Sequence, residues 1–92
     1  MIRIPKTETA GTDPKSLVMS LAKGFRVLEV FDQHDTEQTL TEIAAKADLD
    51  AGTAFRLVRT LVMLGYLRQS KHNKRYSLGL KVLDLGFHAI AR

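Results

Sequence analysis

Apolar residues recur at steps of three and four from Ser16 onward. Leu17, Leu21, Phe25, Leu28 and Phe31 fall on one helical stripe, which predicts a first helix from Ser16 to about His34. Val18, Val27 and Val30 widen that surface beyond the needs of one small core. A second buried face is therefore expected, covered by a partner chain, by the residues before Ser16 or by the last helix. Ile43, Ala44 and Ala47 predict a short second helix over about Thr41 to Ala47, with Thr41 as its capping hydroxyl. Asp48-Leu49-Asp50 breaks the period, and Asp50 is placed to cap a third helix from Ala51 to Leu64. Ala54, Leu57, Val58, Leu61 and Leu64 form the inward stripe of that helix, and Gly65 supplies a left-handed stop.

After Gly65 the period falls to two. Tyr66 to Gln69 and Arg75 to Leu78 alternate around the polar Ser70-Lys71-His72-Asn73-Lys74, which predicts a hairpin with a basic tip. Gly79 ends it. Leu80, Val82, Leu83, Leu85, Gly86 and Phe87 then resume a helical pattern that reaches Arg92 without a Gly or Pro stop, as the front piece of a longer protein would. Residues 1–15 hold both prolines and no period, and read as a flexible leader. The expected architecture is mainly α with a small β-hairpin: a leader over 1–15, a folded unit over 16–79 and a connecting helix over 80–92.

Two helices joined by a three- or four-residue turn, the second of them longer, make a helix-turn-helix, and the hairpin behind them makes it winged. In that arrangement the outer face of the third helix meets base edges while lysines and helix-terminal amides hold phosphates. With Ala54, Leu57, Val58 and Leu61 inward, Ala51, Gly52, Phe55, Arg56 and Arg59 face outward. Arg56 is the first candidate for a guanine or phosphate contact, because a guanidinium donates two parallel bonds. Phe55 suits a thymine methyl or the flank of the wing. Ala51 and Gly52 allow close backbone approach, and the Thr53 hydroxyl is placed to donate to a phosphate. Thr41 at the start of the second helix, and Lys71, Lys74 and Arg75 in the wing, complete the DNA-facing set. Those wing cations serve equally as guards against edge-to-edge pairing.

Charge supports this frame. The 92 residues carry a formal net charge of +4. The surplus lies after Gly65, where Arg68, Lys71, Lys74, Arg75, Lys81 and Arg92 face only Asp84. A hydrophobic share of 45% with 26% charged residues fits one folded domain and excludes a multi-lobed enzyme. Cysteine is absent, which removes disulfides, thiolate nucleophiles and Cys-ligated zinc. His34, His72 and His88 lie in separate elements without metal-ligand spacing, and Asp48 and Asp50 are explained by the turn they occupy. No catalytic residue, metal or cofactor is expected. No stretch reaches the roughly 18 to 20 apolar residues of a membrane span, and Met1 to Lys6 lacks a signal peptide's apolar core, so a cytoplasmic protein is expected.

Five segments in order resemble the IclR-type transcriptional regulators: Ser20 to Phe25 with Val27, Leu28 and Phe31; Leu40 to Ala44; Thr53 to Leu61; Leu64 to Leu67; and Tyr76 to Gly79. The resemblance covers about Ser20 to the C-terminus. It implies a winged-helix domain that binds double-stranded operator DNA as a homodimer through the first helix and the linker helix. It also implies a C-terminal domain, beyond residue 92, that binds a small-molecule effector. Gly52 departs from the family pattern, where Ser is common, which removes one hydroxyl contact. Two rival functions fit the same fold: a winged-helix module for protein contact, and single-strand binding, for which Phe55 is the one exposed aromatic candidate.

Overall fold

The structure, a computed structural model, describes residues 14–91. The leader read over 1–15 lies outside the described residues except for Pro14 and Lys15, which open a 3-10 turn, Pro14–Ser16. Four helices and a two-stranded antiparallel sheet follow: α1 (Met19–Glu29), α2 (Leu40–Ala47), α3 (Ala51–Leu64), β1 (Leu67–Gln69), β2 (Tyr76–Leu78) and α4 (Leu80–Ile90). In the sheet Leu67 pairs with Leu78 and Gln69 with Tyr76. This is the winged helix-turn-helix that the hydrophobic pattern predicts.

The core is small and central. Val27 of α1, Ile43 and Ala47 of α2, Val58 of α3, Leu67 and Tyr76 of the wing, and Phe31 pack on one another, with Leu28, Leu57, Leu61 and Val62 half-buried around them. The α1 stripe is corrected here. Val27 is fully buried, whereas Leu21 is 61% exposed and Leu17 and Phe25 are also exposed. Helical spacing shows that a face is apolar, and neighbouring elements choose which edge of that face is covered. Leu64, assigned inward in α3, is likewise exposed, on the wall of an open groove that it shares with residues of α1 and α4.

Helix boundaries follow local chemistry. α1 stops at Glu29, not near His34: the Asp32 carboxylate accepts the N–H of His34 at 2.8 Å and of Asp35 at 2.9 Å, a side-chain-built turn that replaces helical bonds. α2 is capped by Thr39, not Thr41. The Thr39 Oγ1 accepts the Glu42 N–H at 3.2 Å while the Thr39 N–H donates to Glu42 Oε1 at 2.8 Å, a reciprocal box that leaves Thr41 inside the first turn. α3 is capped by Asp50 and stopped by Gly65 at φ 92°, as the sequence predicts. A Cβ on Gly79 would collide with the Gly65 carbonyl oxygen, so these two glycines let α3, β1 and α4 meet backbone to backbone.

Candidate nucleic-acid interface

The start of α3 is held rigidly. The Asp50 carboxylate accepts the Thr53 N–H at 3.0 Å and the Thr53 hydroxyl at 2.7 Å. Those bonds, the hydroxyl first, hold the Asp50 carboxyl below its ordinary pKa. The Thr53 hydroxyl proton, expected at a phosphate, is thus directed at Asp50, and its side chain is half-buried. Ala51 and Gly52 are exposed, and a Cβ at Gly52 would meet only an ordinary contact with Asp50.

Along the outer face, Phe55, Arg56 and Arg59 are exposed while Ala54 and Val58 on the opposite side are fully buried. Among the described residues, neither the Arg56 nor the Arg59 guanidinium has a hydrogen-bond or salt-bridge partner. Phe55, at 47% exposure, lies on the same face. A helix anchored by its inner stripe therefore presents two free guanidinium forks and an aromatic ring to solvent.

The wing tip is ordered by its own side chains. Ser70 Oγ accepts the His72 N–H at 3.1 Å, Asn73 Oδ1 accepts the Arg75 N–H at 3.0 Å, and Gln69 Nε2 donates to the Lys74 carbonyl at 3.0 Å. Lys74 adopts φ 61°, the left-handed conformation that closes the turn. The ammonium groups of Lys71 and Lys74 are exposed and unpaired among the described residues. Arg75 differs: its guanidinium donates to Glu42 Oε1 at 3.2 Å, joining the base of the wing to the first turn of α2. The Glu42 carboxyl is held below its ordinary pKa first by the Thr39 N–H and further by the Thr39 hydroxyl and Arg75. Thr41, exposed beside Glu42, sits in that same first turn.

Two internal anchors escaped the sequence reading. Gln38, 1% exposed, forms a bridge to Tyr76 through paired backbone bonds of 2.9 and 2.8 Å, adding a one-residue third strand to the wing. Its side-chain Nε2 donates to the Val30 carbonyl at 2.8 Å and the Asp35 carbonyl at 3.2 Å. Arg26 reaches from α1 to the carbonyls of Ala47 and Asp48 at the turn between α2 and α3. No local feature marks Gln38, which lies within the polar run from Asp32 to Thr39. Nothing local marks Arg26, because its partners are carbonyls 21 and 22 residues away.

The molecule also has an apolar groove of about 720 Å³, lined by Leu21 and Phe25 of α1, Leu57 and Leu64 of α3, and Val82 and Leu85 of α4. No residue of α4 is buried, and Leu80, Leu83, Leu85, Phe87 and Ile90 are exposed. No helix among the described residues is long and apolar enough to cross a membrane.

The sequence pattern of the IclR helix-turn-helix domain matches residues 20–71. Among curated relatives, the regulator TsaQ1/TsaQ2 of Comamonas testosteroni is 39% identical over 72 residues, covering 76% of this chain and 25% of its own length. The regulator XynR of Escherichia coli K12 is 28% identical over 74 residues, covering 80% of this chain and 29% of its own. Among solved structures, an IclR family transcriptional regulator from Brucella abortus superposes with a TM-score of 0.82 at 36% identity, over 87% of this chain and 30% of that one. The chain thus spans less than a third of the length of these relatives. With fold and sequence in agreement, the chain belongs to the IclR family of transcriptional regulators and carries its DNA-binding helix-turn-helix domain.

Proposed function

We propose that the chain reads double-stranded operator DNA by placing α3 in the major groove, with Arg56 and Arg59 at base edges or flanking phosphates and Phe55 against a thymine methyl. Ala51 and Gly52 permit close approach, while Thr41, Lys71 and Lys74 hold the phosphate backbone. Arg75 supports the wing through Glu42 and joins the phosphate contacts only if that pair opens. The reading rests chiefly on the unpaired guanidinium groups of Arg56 and Arg59, on the outer face of a helix whose inner face is locked in the core.

The exposed apolar faces of α1 and α4 favour a homodimer, since a two-fold reader needs two copies of α3 at fixed separation. In the parent protein, acting in the cytoplasm, α4 leads to a domain that binds a small-molecule effector. A structural neighbour from Microbacterium hydrocarbonoxydans, 32% identical over 78% of this chain, is an IclR homolog complexed with 4-hydroxybenzoate. Selection of bound duplexes from a randomised DNA pool tests the proposal. Enrichment of an inverted repeat with half-sites about one helical turn or a multiple apart is the expected result. A single half-site refutes the dimer, and salt-sensitive binding with no enrichment refutes sequence reading.

A further inference from the structure

We propose that Arg26 is a positioning residue for the recognition helix: carried by α1, it locks the turn between α2 and α3 and so fixes where the first turn of α3 lies. The functional consequence rests on the DNA reading above, while the clamp itself rests on geometry alone.

The clamp answers a specific need of the turn. At the end of α2 the N–H groups of Leu49 and Asp48 satisfy the Ala44 carbonyl at 2.9 Å and the Ala45 carbonyl at 3.3 Å. The Ala47 and Asp48 carbonyls lie past that point and have no helical partner. Arg26 supplies it. Its Nε donates to Ala47 O at 3.1 Å, its Nη2 donates to the same oxygen, and Nη2 also donates to Asp48 O at 3.2 Å. A guanidinium at this position also complements the negative end of the α2 dipole.

The second observation is the backbone it secures. Asp48 sits at φ 57°, the left-handed conformation that α3 ends on with Gly65. Asp is one of the few residues with a Cβ that visit this conformation, at some cost, and the Arg26 donors at Ala47 O and Asp48 O hold the peptide groups on both sides of it. Asp50, two residues on, is the α3 cap, so the Asp48 turn sets where the first turn of α3 lies, while Ala54 and Val58 hold the rest of the helix in the core. Base-edge hydrogen bonds tolerate little displacement, whereas exposed lysines follow phosphates through several rotamers. Loss of the clamp therefore lowers discrimination more than general DNA affinity. Arg26 is a cation whose Nε and Nη2 donors are engaged by protein carbonyls.

The test uses this chain with Arg26→Met, which keeps the stem and removes the donors, and Arg26→Lys, which keeps the charge with a single point of donation. Affinities for the selected duplex and for random duplex are measured across a salt series, and amide exchange at Leu49 is followed in the free protein. In Arg26→Met the ratio of the two affinities is expected to fall about ten-fold, the worth of roughly one base pair. The salt slope on random DNA stays constant, Leu49 exchanges faster, and the amides of β1 and β2 keep their protection. Arg26→Lys falls between. Equal loss on both DNAs with a salt slope shallower by about one makes Arg26 a phosphate ligand and overturns the proposal. Unchanged exchange at Leu49 overturns the clamp outright. A wild-type chain that prefers no duplex refutes the DNA reading instead, and the exchange measurement still decides the clamp.

Discussion

Helices α3 and α4 are both amphipathic, yet they end in opposite situations. α3 buries Ala54 and Val58 completely and turns its polar face outward, so its own chain stabilises it and leaves Arg56 and Arg59 free for a partner. α4 buries none of its residues, and its exposed leucines, Phe87 and Ile90 have no cover among the described residues. The same chain thus carries two kinds of unfinished surface, one polar and one apolar. Polar groups left free on a rigid support suit charged ligands, and uncovered apolar faces gain most from association.

The sharpest way to break that comparison is to place one charge in each helix. Val58→Asp buries an unpaired carboxylate at a fully enclosed site and should abolish cooperative unfolding altogether. Leu83→Asp, at a site 66% exposed, should leave the thermal transition of the dilute chain in place and abolish self-association by sedimentation. Equal damage from both substitutions would show that α4 belongs to the same cooperative core.

A smaller effect is expected at the polar surface. Arg56→Ala should cost roughly 1–3 kcal/mol on the selected duplex and much less on random DNA, whereas Lys71→Ala or Lys74→Ala should weaken both and flatten the salt slope by about one. Titration at varied salt separates these outcomes, and a uniform loss for Arg56→Ala would move it from base edge to phosphate. Arg75→Ala should leave that slope unchanged if its ion pair with Glu42 persists on DNA.

Smaller again is Gly52→Ala. The added methyl meets only an ordinary contact and restricts the unfolded chain, so chemical denaturation should show a gain of about 0.5–1 kcal/mol. If close approach to DNA matters, duplex affinity falls in the same variant.

Acid should act gently. The Asp32, Glu42 and Asp50 carboxyls are all held below their ordinary pKa, chiefly by the Asp35 N–H, the Thr39 N–H and the Thr53 hydroxyl respectively. A depressed folded-state pKa means stability that is present above the unfolded value and lost as pH falls through the folded one. The thermal midpoint should therefore hold at neutral pH and drop below about pH 4. Asp50→Asn, which retains an acceptor oxygen without that titration, should shrink the drop.

Legibility in the sequence tracked the range of the interaction that decides each feature. α3 was readable to both ends because Asp50 and Gly65 act within one turn of themselves. The wing was readable from its alternation and polar tip, although Tyr66 lies outside the strand: its N–H closes the α3 terminus on Leu61 and its carbonyl accepts the Gly79 N–H. At α2 two threonines compete, and Thr39 caps because Glu42 stands three residues after it. The end of α1 was misplaced because an apolar stripe running on through Phe31 hides a turn made by the Asp32 side chain. Within the candidate site, spacing alone put Phe55, Arg56 and Arg59 on the outer face. It could not divide the cations into free ones, such as Lys71, and internally engaged ones, such as Arg26 and Arg75.

By itself, the sequence determined the element order, the winged helix-turn-helix and the outward face of α3, since these follow from periodicity, caps and glycines acting over a few residues. Only the tertiary structure decided that Val27 and not Leu21 enters the core, that Gln38 joins the wing, and that Arg26 holds the turn before the recognition helix. Those outcomes depend on which distant backbone groups a side chain can reach, and that distance is fixed only once the helices have packed.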